Sequence, residues 1–415
     1  MSIGFELFAI DLLKTTSNGG RRVLWNKDLS SPIVNSATSR QHSVAKLRGS
    51  PWGGHRYFAG NSEGKPIAGF TCATARGVVY RRWDQLICFD PLRPDRVHWV
   101  RDGIDNGAEV FGDDAVVVVL TPEKPIAQLY SALDGRGLGE FEVGKREEIW
   151  ATLGRKILRW RADGEENVVE MLDPWDAPGE SLRGEPVLWS HRFAKDAKGT
   201  RVERNELAVM GTDGAFTLLD LESGKIRFET QLEAEPELST LFVQRGTDHY
   251  LVVANRPIDN APAGLNVQPV PGGYGPQGQF SPLIKGRIYA IERSDGRQRW
   301  QVPAVVEHFG LPLDQPTQAP LVTFMRNVSV DNDSPSRSWK TEVVCLDRRD
   351  GRVAFHQRDI PGNTQVYAVR ANPDEHSADV LLAGESFTLN WTDAPRPPEP
   401  PAQLRSAKEN DADSD

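Results

Sequence analysis

The residues of this chain that could do chemistry are few and scattered. Of its eight histidines, His42, His55, His98, His191 and His308 stand singly. None shows the HxxxH or HExxH spacing that sets two ring nitrogens on one zinc. Asp331-Asn332-Asp333 starts like a calcium loop, but Ser334-Pro335 follows and no glutamate arrives at the closing position, so it reads as a turn between strands. Cys72, Cys88 and Cys345 are an odd number without a CxxC pair, each in or beside an apolar strand pattern. They read as small buried hydrophobes rather than a disulfide framework. There is no G-x-S-x-G and no Walker loop. Gly211-Thr212-Asp213-Gly214 has a phosphate cradle's glycines, yet it joins two strands, where a cradle needs a helix to follow. Asn327-Val328-Ser329 and Asn390-Trp391-Thr392 fit the glycosylation sequon, which matters only in a eukaryotic secretory setting that nothing else supports. No catalytic residue, metal or cofactor is assigned from these residues.

Binding chemistry has better candidates. Trp52, His55, Arg56, Tyr274, Phe280, His308 and Phe309 are aromatic or cationic residues on long polar connections. Such types anchor protein interfaces. For each taken alone, local packing that holds its loop together is an equal alternative.

The elements that must position these loops are set by a repeat. Asp220, Gly224 and Phe228 stand at intervals of four, as do Glu292, Gly296 and Trp300, and Asp347, Gly351 and Phe355. Looser copies are Ser131, Gly135 and Gly139, and Trp160, Gly164 and Val168; two more, with altered turns, run from Asp90 to Trp99 and from Asp11 to Trp25. Each copy reads as a strand ending in an acid, a glycine turn and a second strand carrying an aromatic. The acid accepts from turn amides, the glycine supplies the positive φ of a tight hairpin, and the aromatic lies flat against the neighbouring unit. Seven hairpins of one design predict a radial all-β architecture: one β-propeller of seven or eight four-stranded blades over residues 1–392. The opening strands look like a blade's outer pair and the closing ones could supply its inner strands, so pairing the two ends would close the ring and leave no free edge.

Composition agrees. The chain of 415 residues has 39% apolar residues, 37 glycines and 29 prolines, a turn-rich globular pattern. A formal net charge of −9 argues against a phosphate-backbone binder, so no nucleic acid is expected as partner. No apolar run approaches the roughly 20 residues of a membrane span. Residues Met1 to Leu13 lack a signal peptide's basic and apolar regions and read as strand, which suggests a chain beginning inside a longer parent and leaves the compartment open. Residues 393–415 are Pro-rich and then acidic, and are expected to be disordered.

Blade assignment places Val187 to Phe193 with Glu206 to Met210, Phe216 to Asp220 and Ile226 to Gln231. It leaves the unit at Glu148–Leu172 short of its innermost strand. With that assignment every long insertion joins second to third strands or one blade to the next: Ser30–Pro66, Pro174–Pro186, Pro257–Lys285, Glu307–Gln318 and Asp331–Trp339. The insertions would then crowd one face, where binding loops on a rigid scaffold usually sit.

Leu219-Asp220-Leu221-Glu222-Ser223-Gly224-Lys225-Ile226-Arg227-Phe228 and Ile288-Tyr289-Ala290-Ile291-Glu292-Arg293-Ser294-Asp295-Gly296-Arg297-Gln298-Arg299-Trp300 resemble the PQQ-like β-propeller repeat. That repeat occurs in quinoprotein alcohol dehydrogenases and in the propeller lipoprotein of the outer-membrane barrel assembly machinery. The resemblance covers most of residues 1–392. Its enzymatic members have an adjacent Cys–Cys pair over the quinone and a Glu/Asn/Asp calcium site. This chain has no adjacent cysteines and no recognisable triad, so the resemblance implies the non-catalytic branch, often bacterial and of the cell envelope. The expectation is a scaffold that binds protein or peptide partners, or other domains of a parent chain, through one loop-rich face. The alternative is a quinone- or carbohydrate-handling enzyme with its site at the loop-side channel mouth.

Overall fold

The turn after Leu219 shows why acid and glycine stand four residues apart. In the computed structural model Asp220 Oδ1 accepts from the Ser223 amide at 2.9 Å and from its hydroxyl at 2.7 Å. The Gly224 amide donates to the Asp220 carbonyl at 2.8 Å, with Gly224 at φ 70°. Gly135, Gly296 and Gly351 close on the carbonyls of Ser131, Glu292 and Asp347 in the same way, at φ 68°, 77° and 77°. Glycine alone takes that backbone region at no steric cost.

The structure describes residues 2–3, 6–15, 21–28, 44–46, 57–60, 66–74, 76–105, 108–121, 126–142, 149–173, 187–203, 205–257, 274–275, 278–279, 283–300, 302–312, 315–329, 339–361, 366–382, 385–392 and 403–404. They are almost entirely antiparallel strand, with one short 3-10 turn at Pro373–Glu375. They fall into two compact units that divide between Lys195 and Asp196.

In the first unit Ser2–Ile3, Glu6–Thr15 and Arg21–Asp28 form a three-stranded sheet. Pro66–Ala73, Val78–Arg82, Gln85–Asp90 and Arg93–Arg101 follow in one sheet, extended by Val44–Lys46 and Tyr57–Gly60. Two four-stranded sheets complete the unit. One is Glu109–Gly112, Val116–Leu120, Ile126–Ser131 and Gly137–Glu142; the other is Ile149–Leu153, Lys156–Asp163, Glu166–Leu172 and Val187–Ala194. The first strand of one sheet lies beside the first strand of the next: Glu109–Gly112 neighbours both Pro66–Ala73 and Ile149–Leu153.

The second unit opens with the four-stranded sheet Lys198–Val202, Glu206–Met210, Ala215–Asp220 and Ile226–Gln231. A long sheet then runs through Thr240–Arg245, His249–Asn255, Leu283–Glu292, Ala304–Gly310, Leu321–Ser329, Trp339–Asp347 and Val353–Pro361. The single pair Gly310↔Met325 joins its two halves. Val366–Asn372, Ser377–Leu382 and Ser386–Asn390 make a final three-stranded sheet.

Sheets pack face to face, which explains strands that are apolar throughout. Val117 and Val119 join a cluster with Leu86, Cys88 and Trp99, while Val116 and Val118 face the other way onto Ile157 and Leu172. All four valines are 0% exposed. The three cysteines are buried and form no disulfide, and burial pushes the thiols of Cys88 and Cys345 up to about 11.

Three of the repeat aromatics seat on the turn of the next copy. A Cβ on Gly296 would meet the Phe228 ring, one on Gly351 the Trp300 ring, and one on Gly135 the Trp99 ring. The indole N–H groups make the second half of the contact. Trp300 donates to the Arg348 carbonyl at 3.0 Å, Trp99 to Ala132 at 3.3 Å and Trp25 to Pro91 at 2.6 Å. In each case the acceptor is the residue just after the turn acid or its serine substitute.

Several expectations are corrected. Val187–Ala194 is the fourth strand of the sheet begun at Ile149, because Val168 pairs with Arg192 and Glu170 with Ser190. The strand Lys198–Val202 opens the next sheet in its place. Gly164 therefore turns between second and third strands, where no neighbour crowds it, and is not a copy of the clasp. The same shift puts 174–186 between third and fourth strands, on the side of the short acid–glycine turns, so not every long connection falls in one class. Residues 307–310, expected in a loop, extend the strand Ala304–Gly310 because Leu283–Glu292 is long enough to pair with them. In the tail, Gln403 and Leu404 pair in parallel with Val305 and Val306, on the edge of that strand turned away from Leu283–Glu292.

Replacing Gly296 or Gly351 by alanine combines positive-φ strain with overpacking against an aromatic ring and is expected to cost about 1–3 kcal/mol, read from denaturant midpoints. Deleting residues 393–415 should speed amide hydrogen exchange at the one of Val305 and Val306 whose N–H points to Gln403–Leu404, while the Gly224 and Gly296 amides keep their protection.

Candidate functional site

The residues singled out for binding are only partly placed. Trp52, His55, Arg56 and Phe280 lie outside the described residues. Tyr274 belongs to the two-residue strand Tyr274–Gly275, paired with Gly278–Gln279. His308 is half-buried at φ 62°. Phe309 is 1% exposed, packed with Ile284 and Phe324, and the Arg326 guanidinium lies 4.5 Å over its ring. It is a core residue of its strand rather than a loop anchor.

The root of the 257–285 insertion is well defined. Glu235, in the link between Ile226–Gln231 and Thr240–Arg245, is 1% exposed. One of its oxygens accepts from Arg256 Nε and the other from Arg287 Nη1, both at 2.8 Å. These arginines stand at the two ends of the insertion. The backbone adds to the clamp: the Arg256 amide donates to the Lys285 carbonyl at 2.7 Å, and the Lys285 amide to Asn255 Oδ1 at 2.6 Å. Whatever the insertion presents is thus held on a stem of charge-assisted hydrogen bonds, the stronger kind.

A second charged group gathers at the short turns. Arg227 spans Asp220 at 3.0 Å and the buried Glu206 at 2.5 Å, and Tyr250 Oη also donates to Glu206 at 3.0 Å. One sheet strand-set further along the chain, Arg299 spans Glu292 at 2.8 Å and Asp248 at 2.6 Å. Asp248 in turn meets His249 Nδ1 at 2.7 Å. In both cases the arginine immediately precedes the clasp aromatic and joins the turn acid to a carboxylate at the start of the second strand. Sequence reasoning missed this device. Its signal was present as an arginine seven residues after the acid, at Asp220/Arg227 and Glu292/Arg299. The Arg299 hydrogen bond, chiefly, holds the Asp248 carboxyl down to about 2, and burial lowers the His249 ring below its ordinary range.

These carboxylates are tied to guanidinium groups, which suits holding shape better than moving protons. Among the described residues no group of three or more His, Cys, Asp and Glu side chains could hold a metal ion. No helix among them is long and apolar enough to cross a membrane.

Residues 166–354 match a family model described as outer membrane protein assembly factor BamB. No curated protein matches the chain. Similar solved structures include BamB from Moraxella catarrhalis, at 13% identity and a TM-score of 0.34, covering 84% of this chain and 98% of that one. Dihydro-heme d1 dehydrogenase NirN in complex with DHE is 13% identical with a TM-score of 0.37, covering 81% and 70%. The computationally designed Ika8 protein is 11% identical with a TM-score of 0.32, covering 76% and 94%. The PQQ-like match begins at Glu166 and ends at Ala354, so it takes in the acid–glycine turns at Asp220, Glu292 and Asp347.

Both depressed groups give the same sign of pH dependence. Asp248 and His249 bind protons more weakly folded than unfolded, so their stabilisation is present at higher pH. It is lost as pH falls below 6.5 for His249 and from 3.8 toward about 2 for Asp248. Asp248→Asn is therefore expected to flatten the acid limb of a urea-midpoint profile below pH 4. Separately, Glu235→Ala should cost about 1.5–3 kcal/mol and open residues 258–282 to limited proteolysis ahead of the rest of the chain.

Proposed function

We propose that this chain is a non-enzymatic PQQ-like propeller of seven or eight blades, its ring closed by its two ends, that serves as a scaffold for protein or peptide partners. The observation that carries the reading is the Glu235 stem. A buried carboxylate pins both ends of a long connection on an otherwise tightly turned sheet, which is how a rigid scaffold presents a binding loop. The family model's description, an assembly factor for outer membrane proteins, favours a protein as the partner class. Trp52, His55, Arg56, Tyr274 and Phe280 are the anchors proposed for this surface, with His308 at the end of its strand. The seating of aromatics on successive glycine turns supports a radial order of sheets, each resting on the next.

Two experiments test the reading. Cysteines placed in the strands Glu6–Thr15 and Ser386–Asn390 should cross-link within one molecule if the ends close the ring; cross-links only between molecules would count against closure. Cross-linking in the native cell, followed by mass spectrometry, should recover protein partners that a variant lacking 258–282 does not. Unchanged recovery by that variant, together with an absorbance change on adding quinone and calcium, would instead support a quinone-handling enzyme.

A further inference from the structure

Arg348 is a buried cation with no counter-charge on it among the described residues. It directly follows the turn acid Asp347 and is 1% exposed. Its Nε donates to the Leu321 carbonyl and its Nη2 to Gln244 Oε1, each at 2.9 Å, and both acceptors are neutral. Its Nη1 has no partner among the described residues. The adjacent carboxylate of Asp347 is turned to Arg349, whose Nε and Nη2 lie at 2.9 and 2.7 Å. Burial lowers the Arg348 pKa only to about 10, so the side chain stays charged at neutral pH. Leaving such a charge uncompensated in the interior is strongly destabilising.

A second buried nitrogen with no partner among the described residues stands on the hairpin that Arg348 contacts through Gln244. Gln244 pairs with Leu251 on the hairpin that carries His249. The His249 Nδ1 faces Asp248, while its Nε2 is buried and has no partner among the described residues. The Arg348 charge acts on this ring, together with Arg299 and Asp248 on the ring's own side. Arginine at this position is not common to every repeat, although Glu292 is also followed by one, Arg293, whose Nη1 donates to the Gly246 and Thr247 carbonyls. In the earlier repeat the residue after the turn acid is Leu221, 0% exposed.

We propose that a single halide-class anion binds against Arg348 Nη1 with His249 Nε2 as its second donor. The ring is then protonated, with Nδ1–H donating to Asp248. An anion supplies the missing charge, which a water molecule in the same place does not. Of the ligands that carry such a charge, a halide is the smallest.

The test compares thermal and urea unfolding in sodium chloride and in sodium gluconate at equal ionic strength, for the wild type and for Arg348→Leu. In the wild type the folded-to-unfolded ratio should rise with chloride, by about 100-fold when chloride stands at about a hundred times its Kd. Arg348→Leu, built on the Leu221 precedent, should show no chloride response. Crystals soaked in bromide should give an anomalous peak within hydrogen-bond distance of Arg348 Nη1, a result that stands even if Arg348→Leu fails to fold. A wild type equally stable in chloride and gluconate, a chloride response retained by Arg348→Leu, or a bromide-soaked crystal with no such peak would each overturn the assignment.

Discussion

An aromatic ring lying on a glycine is the contact on which this architecture depends. Phe228 on Gly296 and Trp99 on Gly135 each join one sheet to the next, Trp300 on Gly351 joins the two halves of the long sheet, and each contact needs two residue types at once. The glycine must lack a Cβ, both for its positive φ and for the ring that covers it. The ring must be large enough to cover the turn. When it is tryptophan, its N–H also satisfies the carbonyl that the turn leaves open. A neighbouring sheet is thereby registered by a polar contact as well as by apolar burial. Stability of this kind adds up sheet by sheet, which suits a repeat.

Charge is arranged around that clasp for the same end. Arg227 and Arg299 tie the third and fourth strands back to the second, so the turn that receives one aromatic is stiffened by the residue before another. Glu235 does the corresponding work for a long connection, taking one arginine from each of its ends. Net charge of −9 said nothing of this, because the interactions that matter are between particular carboxylates and half-buried guanidinium groups. Arg348 departs from the pattern, having only neutral acceptors, and departures from local consistency are where binding is worth seeking.

The strand order shows where reading along the chain fails. Read along the chain, Val187 to Phe193 goes with the strands that follow it, yet the seven register pairs of Val187–Ala194 are with Glu166–Leu172. Lys198–Val202 was missed because a lysine, a glycine, a threonine and an arginine precede its only large apolar residue. It is largely buried all the same, since an innermost strand has neighbours on both faces whatever its composition. Phe309 shows the converse: an aromatic beside glycine and prolines reads as a loop residue until its pairing with Ile284 puts it in the core.

Spacing along the chain alone settled the acid–glycine hairpins, the apolar strands between them and the all-β class, because each depends on residues within one turn of one another. Tertiary structure alone decided which strands share a sheet, which arginine meets which carboxylate and which aromatic covers which glycine. Those partners lie tens of residues apart, and the free energy that selects them comes from desolvating both members together, a quantity no local pattern contains.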